Sequence, residues 1–397
     1  MESRYEIKEG EYPLRIRSFD YSLIAVILVV GIFGVVMVYS ASMYTAVEVY
    51  GVRSDYFFIR QLIALVLGIC AFLFFANFNY RMYKSNALQV PLVLVMISAL
   101  IAVDQFGDVT NNSARWLEMG PISIQPSEFV KLMIILYMAS VFHKKQGYIN
   151  NFERSLAPPL IVLLGCVFLI VKQPDVGTAS VILVISFFII LSSGMDWKRM
   201  AIIVSVVAFC VSGLITALIK YPDAILSETQ KNRFIGFLQP FETEQEQGYQ
   251  VVGSLLAIGS GEMTGVGFGN STQKYGYIPE VHTDAIIAVI AEEFGFLGVA
   301  FLLFCLGFIV IKGILISIRC KDPFGSMIAI GISAMIGFQT FVNLGGMTSM
   351  LPITGVTLPL ISYGGTSLLL TLISLGILVN ISMQTERKRL MAELELD

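Results

Sequence analysis

The sequence predicts an all-α, polytopic membrane protein with ten transmembrane helices and a large extracellular loop between spans seven and eight. Composition is the first observation behind that prediction: of 397 residues, 56% are hydrophobic and only 14% charged, against about 25% charged in soluble domains. Next, the apolar runs are continuous over about 18 to 22 residues, the length that crosses a bilayer. Barrel strands would instead alternate over about ten residues. Finally, Lys and Arg collect in every second loop, as they do in helical membrane proteins. No polar stretch is long enough to bury a core of its own, so one membrane unit is expected rather than several soluble domains.

The ten runs fall at roughly 21–41, 59–77, 88–103, 129–142, 157–171, 176–194, 200–219, 285–311, 324–344 and 360–383. The first follows a leader of mixed charge, and Ser40-Ala41-Ser42 within it imitates a signal cleavage site. Its length favours a retained helix. Basic residues then test the count. Arg4, Lys8, Arg15 and Arg17 precede span one. Alternate loops hold Arg81 and Lys84; Lys144, Lys145 and Arg154; Lys198 and Arg199; Lys312, Arg319 and Lys321. With Arg387, Lys388 and Arg389 in the tail, this set holds 17 of the 26 basic residues. Ten spans with both termini in the cytoplasm satisfy that bias, and an odd count would not. The expected layout is a cytoplasmic segment 1–20, a membrane domain 21–383 and a cytoplasmic tail 384–397.

Three segments then share the outer face: about 104–128, the long 220–284 loop, and 345–359. The long loop carries "RFIGFLQPF" and "GYQVVGSLLAIGSGEM", apolar stretches too short to span that belong in the interface or re-enter the protein. No internal repeat is visible, which weakens an inverted-repeat transporter. The five Cys (Cys70, Cys166, Cys210, Cys305 and Cys320) lie in or beside apolar runs without a CxxC, so they read as small buried residues. A net charge of -3 with no basic, aromatic-interleaved patch gives no sign of nucleic acid. Gly265, Gly267 and Gly269 make a glycine-rich stretch, but GxxxxGK[ST] and HExxH are both absent, which argues against a nucleotide and ATP-driven chemistry.

Charge inside an apolar run is the feature that asks for a function, and "YGYIPEVHTDAIIAVIAEEFGF" at 275–296 has most of it. Asp284 directly precedes an apolar helix, so it reads equally as an N-cap, a role Thr283 also suits, and as a reactive carboxylate. Glu280, His282 and Asp284 are spaced by two, and an extended lead-in would turn all three to one side. With a helix starting near Asp284, Glu292 lies about 12 Å deeper on roughly the same face and Glu293 nearly opposite. Intramembrane carboxylates face a bundle interior or a wet cavity. His282 is a base or a hydrogen-bonded interfacial residue, the latter preferred because no second His is near. Side chains alone offer too few ligands for a metal, and a hard cation such as Mg or Mn remains open only if substrate phosphate shares it.

Two further constellations stand out. In "SARWLEMGPISIQPSEFVKL", 113–132, Pro126 and Ser127 mark a helix start. Glu128 and Lys131 are spaced to pair at i,i+3, either anchoring the span or lining a site. Arg115 beside Trp116 fits an interfacial anchor and a phosphate clamp alike. In "LPITGVTLPLISYGGTSLL", 351–369, Pro352, Pro359 and the Ser362-Tyr363-Gly364-Gly365 step break helix continuity. Backbone donors there can meet an anion.

Together these segments resemble the SEDS family (shape, elongation, division, sporulation) of cell-wall polymerases. "RWLEMGPISIQPSEFVK", "GYQVVGSLLAIGSGEMTGVGFGN", "QKYGYIPEVHTDAIIAVIAEEFGFLG" and "LPITGVTLPLISYGGTSLL" look like family signatures in family order, across essentially all ten spans. "SFDYSLIAVILVVGIFGVVMVYSAS" and "NSTQKYGYIPEVHTD" look closer to the FtsW/SpoVE branch than to RodA. One departure is Ala285-Ile286-Ile287, where the family often has Phe-Ile-Phe. It removes aromatic packing but no reacting group.

The resemblance implies a peptidoglycan glycosyltransferase of the bacterial cytoplasmic membrane that polymerises lipid II onto a growing glycan strand and releases undecaprenyl diphosphate. A class B penicillin-binding protein and other divisome or elongasome membrane proteins are the implied partners. Asp284 matches the family's essential loop Asp, and Arg115, Glu128 and Lys131 match positions of its polar cavity. A β-1,4 bond made from an α-linked diphosphate inverts the anomeric carbon, so one displacement with Asp284 as base is expected. Arg115, Lys131 or a divalent cation would stabilise the departing diphosphate. Two other readings stay open on the residues: a lipid II flippase, since buried charge and broken helices suit a transport path, and a non-catalytic scaffold of the division or elongation machinery.

Overall fold

The computed structural model describes residues 18–106, 108–110, 113–119, 122–205, 212, 228–276, 278–279 and 281–394. The first helix, α1 (Tyr21–Glu48), starts where Asp20 accepts the amide of Leu23 at 3.1 Å. The same carboxylate holds Lys312 Nζ at 2.8 Å, tying this end of α1 to a distant span. Helices α2 (Tyr56–Asn77) and α3 (Asn86–Phe106) follow, linked by a 3-10 turn at Tyr80–Lys84. Helix α4 (Pro126–Lys144) opens on a proline in its first turn with Glu128 beside it and closes on His143 and Lys144. That order suits the helix dipole. Then come α5 (Ala157–Lys172) and α6 (Val176–Leu191), the latter capped by Asp175 accepting the Thr178 amide at 3.1 Å.

Two short helices, α7 (Glu228–Leu238) and α8 (Tyr249–Ser260), occupy the long 220–284 segment. The last three helices are α9 (Ile286–Arg319), α10 (Pro323–Met347) and α11 (Gly365–Leu394). Helix α9 is interrupted at Gly295, whose φ of 65° and ψ of -166° are open to glycine alone. A half-helix, 286–294, therefore precedes the long apolar run. Among the described residues, seven helices are long and apolar enough to cross a membrane: α1, α2, α3, the run Glu153–Lys172 containing α5, and α9 to α11.

Helix α10 is the hub, packing on α4, α6, α9 and α11, while α11 lies along α2. Small residues let these backbones approach: a side chain on Gly376 would meet the carbonyl oxygen of Phe72 at 2.6 Å. In lipid, where apolar area drives little, such close packing is what holds helices together. Polar clasps supplement it. Asn380 on α11 donates to the carbonyl of Ala76 at 2.7 Å and accepts the amide of Tyr80 at 3.1 Å.

The architecture departs from expectation in three places. The segment before α4 is not a plain loop but a three-stranded antiparallel sheet, β1 (Asp108–Thr110), β2 (Ser113–Met119) and β3 (Ile122–Ile124), in the order β1-β2-β3. Its β2–β3 register pairs Leu117 with Ile124 and Met119 with Ile122. Helix α6 has only 16 residues. Helix α11 continues to Leu394, past the expected end at 383, as an exposed polar extension. The seventh expected span, 200–219, lies largely outside the described residues, as does Cys210.

Candidate active site at the start of helix α9

Residues 281–285 form turns, not an extended strand, and α9 begins at Ile286 with Ala285 as its cap and no side-chain capping bond. Two sequence expectations are corrected by this. Asp284 is not the N-cap, because the turn places it one residue too early. The extended lead-in that would turn His282 and Asp284 to one side is absent, and Glu280 lies outside the described residues.

His282 is buried between aromatic rings, its centroid 4.4 Å from Phe57 and 5.5 Å from Tyr363. Its carbonyl accepts the amide of Tyr363 at 2.8 Å. These contacts pin the turn to the 348–364 loop.

Asp284 is only 7% exposed, yet its carboxylate meets polar groups from three residues and its backbone carbonyl a fourth. Thr283 Oγ1 and Gln250 Nε2 approach Oδ1 at 3.4 and 3.5 Å. On the other side lies Arg233 of α7. A Cβ on Gly355, built from the backbone, would stand 3.8 Å from both terminal nitrogens of Arg233 and 4.0 Å from Asp284 Oδ2. Gly355 has a φ of 73°, so glycine both permits this backbone and keeps the space between the charges open. From behind, buried Asn343 of α10 donates its amide to two carbonyls at once, Asp284 at 2.7 Å and Val356 at 2.8 Å.

Arg233 also feels Asp175 and Arg115. Burial pulls its guanidinium below the ordinary arginine value, Arg115 lowers it further, and the Asp284 and Asp175 carboxylates raise it. Asp175 is there because α6 starts against the same loop: a side chain on Gly177 would clash with Val356 and Thr354. Arg115 arrives from β2, donating to the carbonyls of Gln173 at 3.3 Å and Pro174 at 2.6 Å. Beside Arg233 a pocket of about 200 Å³ opens, lined by Asn232, Arg233, Gln247, Gln250, Val251 and Ile353.

The remaining predicted residues are distributed as follows. Glu128 and Lys131 form the expected i,i+3 pair at 2.7 Å, and both are buried rather than at an exposed edge. Ser362, Tyr363 and Gly364 are fixed by buried Gln61 of α2, which donates to the Ser362 carbonyl at 3.0 Å and accepts the Gly364 amide at 3.2 Å. Ser362 Oγ in turn accepts the amide of Leu358 at 2.8 Å, and Gly365 starts α11.

Glu292, expected in a cavity with Asp284, makes its described bonds to the 271–273 turn. Its carboxylate accepts the hydroxyls of Ser271 and Thr272 and the amides of Thr272 and Gln273, stapling the 271–274 turn. Glu293, which the sequence left unexplained, meets Lys274 Nζ at 2.9 Å and Ser40 Oγ at 2.6 Å. Both acids are 1% exposed. The glycine-rich stretch is explained with them. The amides of Val266 and Gly267 donate to the carbonyls of Glu292 and Glu293 at 2.9 and 3.0 Å, and Phe296 and Leu297 donate back to Glu262 and Met263. A side chain on Gly261 or Gly265 would collide with that backbone.

Arg233, Gln250, Asn343 and Lys274 were missed in the sequence. Asn343 left one readable sign, a polar amide near the end of an apolar span. Arg233 and Gln250 sit in the short apolar stretches of the long loop and Lys274 in its polar part, with nothing local to mark their roles.

Comparison with known proteins agrees with this geometry. The family model described as cell cycle protein, of the FtsW, RodA and SpoVE type, matches residues 20–387. The chain is 50% identical over 371 residues to the probable peptidoglycan glycosyltransferase FtsW of Bacillus subtilis, covering 93% of this chain and 91% of that protein. It is 35% identical to the stage V sporulation protein E of the same organism, over 92% of this chain and 97% of the other. Among solved structures it resembles one of a peptidoglycan synthase complex that coordinates polymerization and crosslinking, with a TM-score of 0.73 and 26% identity over 92% of this chain and 98% of that one. The rod shape determining protein RodA of Thermus thermophilus gives a TM-score of 0.65 at 26% identity, over 92% and 96% of the two chains. The sequence signatures, the helical architecture and these matches agree that the chain belongs to the FtsW/RodA/SpoVE family of cell cycle proteins.

Proposed function

We propose that this chain is a peptidoglycan glycosyltransferase that polymerises lipid II at the outer face of the bacterial cytoplasmic membrane. The observation that carries the reading is a buried carboxylate, Asp284, held beside the guanidinium of Arg233, which itself lines a pocket. The 4-hydroxyl of the acceptor GlcNAc gives its proton to Asp284 as its oxygen attacks the anomeric carbon of the donor. The bond from that carbon to the diphosphate breaks, the electron pair leaves with undecaprenyl diphosphate, and the configuration inverts. A carboxylate suits the task because proton transfer falls late, when the hydroxyl has become acidic. Arg115 and Lys131 are the proposed stabilisers of the leaving charge. Glu128, paired with Lys131, would hold that ammonium in place.

Among the described residues no three His, Cys, Asp or Glu side chains gather to hold a metal. A Mg or Mn ion would have to arrive on the diphosphate, with Asp284 at most one of its ligands.

Ten spans belong to the same proposal: α4, α6 and residues 200–219 would join the seven long apolar helices. With both termini cytoplasmic, the 220–284 loop then faces outward. A class B penicillin-binding protein, which would crosslink the strands, and other division or elongation proteins are the proposed partners.

The test is purified chain, with and without its penicillin-binding partner, given labelled lipid II. Glycan strands that vanish in Asp284→Asn support the enzyme. Translocation in vesicles without strands supports a flippase, and neither activity in the presence of the partner supports a scaffold.

A further inference from the structure

We propose that the pocket between α7 and α8 is the subsite for the acceptor sugar, an uncharged N-acetylhexosamine, and not for the donor's diphosphate. This deepens the glycosyltransferase reading and rests on it.

The lining decides the chemistry. Asn232, Gln247 and Gln250 present three neutral amides, and Val251 and Ile353 add an apolar wall. Amides donate to and accept from hydroxyl and acetamido groups, and the apolar wall suits the C–H face of a sugar ring. A diphosphate would call for several cations. Among the described residues its lining has one, Arg233, already facing Asp284. The further cations, Arg115 and Lys131, are held on β2 and α4, outside the lining. A volume of about 200 Å³ suits one sugar ring rather than a disaccharide.

Position decides which sugar. Gln250 lines the pocket and also reaches Asp284 Oδ1 at 3.5 Å, so one side chain joins the pocket to the carboxylate. In an inverting displacement the base touches the incoming hydroxyl, while the diphosphate departs from the opposite face of the anomeric carbon. A sugar beside Asp284 is therefore the acceptor.

The experiment separates the two substrates. The full chain with its penicillin-binding partner is given a lipid II analogue whose GlcNAc 4-hydroxyl is blocked, which can act only as donor, and ordinary lipid II as acceptor. First-bond formation is followed while each is varied. Asn232→Leu and Gln250→Leu are expected to raise the acceptor KM about three- to tenfold each, the value of one neutral hydrogen bond, and to leave the blocked donor's KM unchanged. Unchanged donor KM also reports an intact fold. Asn232 is exposed, so its variant keeps the test usable if Gln250→Leu unfolds. A raised donor KM, or no change in either KM, overturns the subsite. If the wild-type complex makes no bond from these substrates, the glycosyltransferase reading itself fails, and the subsite with it.

Discussion

Arg233 faces Asp284 across Gly355, with 3.8 Å from that glycine's would-be Cβ to either terminal guanidinium nitrogen and 4.0 Å to Oδ2 of the carboxylate. The two charges come from different parts of the long loop, and the loop before α11 lies between them. A positive neighbour favours the ionised form of a carboxylate. Removing it makes the carboxylate harder to ionise, and activity that needs the ionised base is then lost at a higher pH. Arg233→Gln is therefore expected to move the acid limb of the kcat/KM profile upward in pH, while Arg233→Lys, which keeps the charge, moves it less. An acid limb that stays put in Arg233→Gln would show that the guanidinium does not act on the base.

Gly355→Ala tests the same junction from the backbone. Space around its Cβ is ordinary, so the cost comes from the left-handed φ of 73°. That strain is about 1–2 kcal/mol, and relief by turning the loop would carry Val356 and the Asn343 clasp with it. Lower thermal stability together with reduced polymerisation is expected. Lower stability at full activity would mean that the loop's backbone does not set the site.

Asn343 makes a separate prediction. Its amide bonds the carbonyls of Asp284 and Val356, and the residue is 3% exposed. Asn343→Leu strands two buried acceptors, at about 1–3 kcal/mol for each, and frees the turn that aims Asp284. Small displacements of a reacting group cost up to about a hundredfold in rate, so kcat should fall ten- to a hundredfold with KM little altered. Asn343→Asp should be worse, because a carboxylate would face two carbonyl oxygens. A change confined to KM would assign Asn343 to substrate binding instead.

What the sequence revealed, and what it hid, follows from the range of the interactions. The long spans and the Glu128–Lys131 pair rest on local periods, 3.6 residues per turn and i,i+3 spacing, which a single chain displays openly. Asp284 stood out because charge beside an apolar run is rare. The capping role assigned to it failed by one residue, since a turn and an extended lead-in are equally consistent with "PEVHTDA". An ideal helix fixes only the directions of Glu292 and Glu293, whereas their partners lie in the 269–274 segment and at Ser40, and nothing in the apolar run marks the break at Gly295. Arg233 had no local mark at all. Its significance comes from Gly355 and Gly177 packing, which is tertiary information.

The buried Lys274–Glu293 pair tests how the half-helix bearing Asp284 at its start is held. Lys274 Nζ meets Glu293 Oε1 at 2.9 Å, the Gly269 carbonyl at 2.7 Å and Ser40 Oγ at 3.1 Å, with neither charged side chain exposed. Among the described residues Glu293 Oε2 has no partner, and Lys274 is the one cation paired with this carboxylate. Breaking such a pair by removing one member costs about 3–5 kcal/mol, since the other stays buried and uncompensated, whereas replacing both by neutral groups costs far less. Lys274→Met should therefore be strongly destabilised and Lys274→Met/Glu293→Gln largely restored, with a double-mutant coupling well above the error of the cycle. Thermal unfolding in detergent gives the stabilities, and polymerisation of lipid II by the double variant gives the second readout. A stable double variant that polymerises at the wild-type rate assigns the pair to folding alone. A stable double variant with lower kcat and unchanged KM shows that the pair also aims Asp284 through the half-helix. Additive single effects would mean that the two charges are held independently.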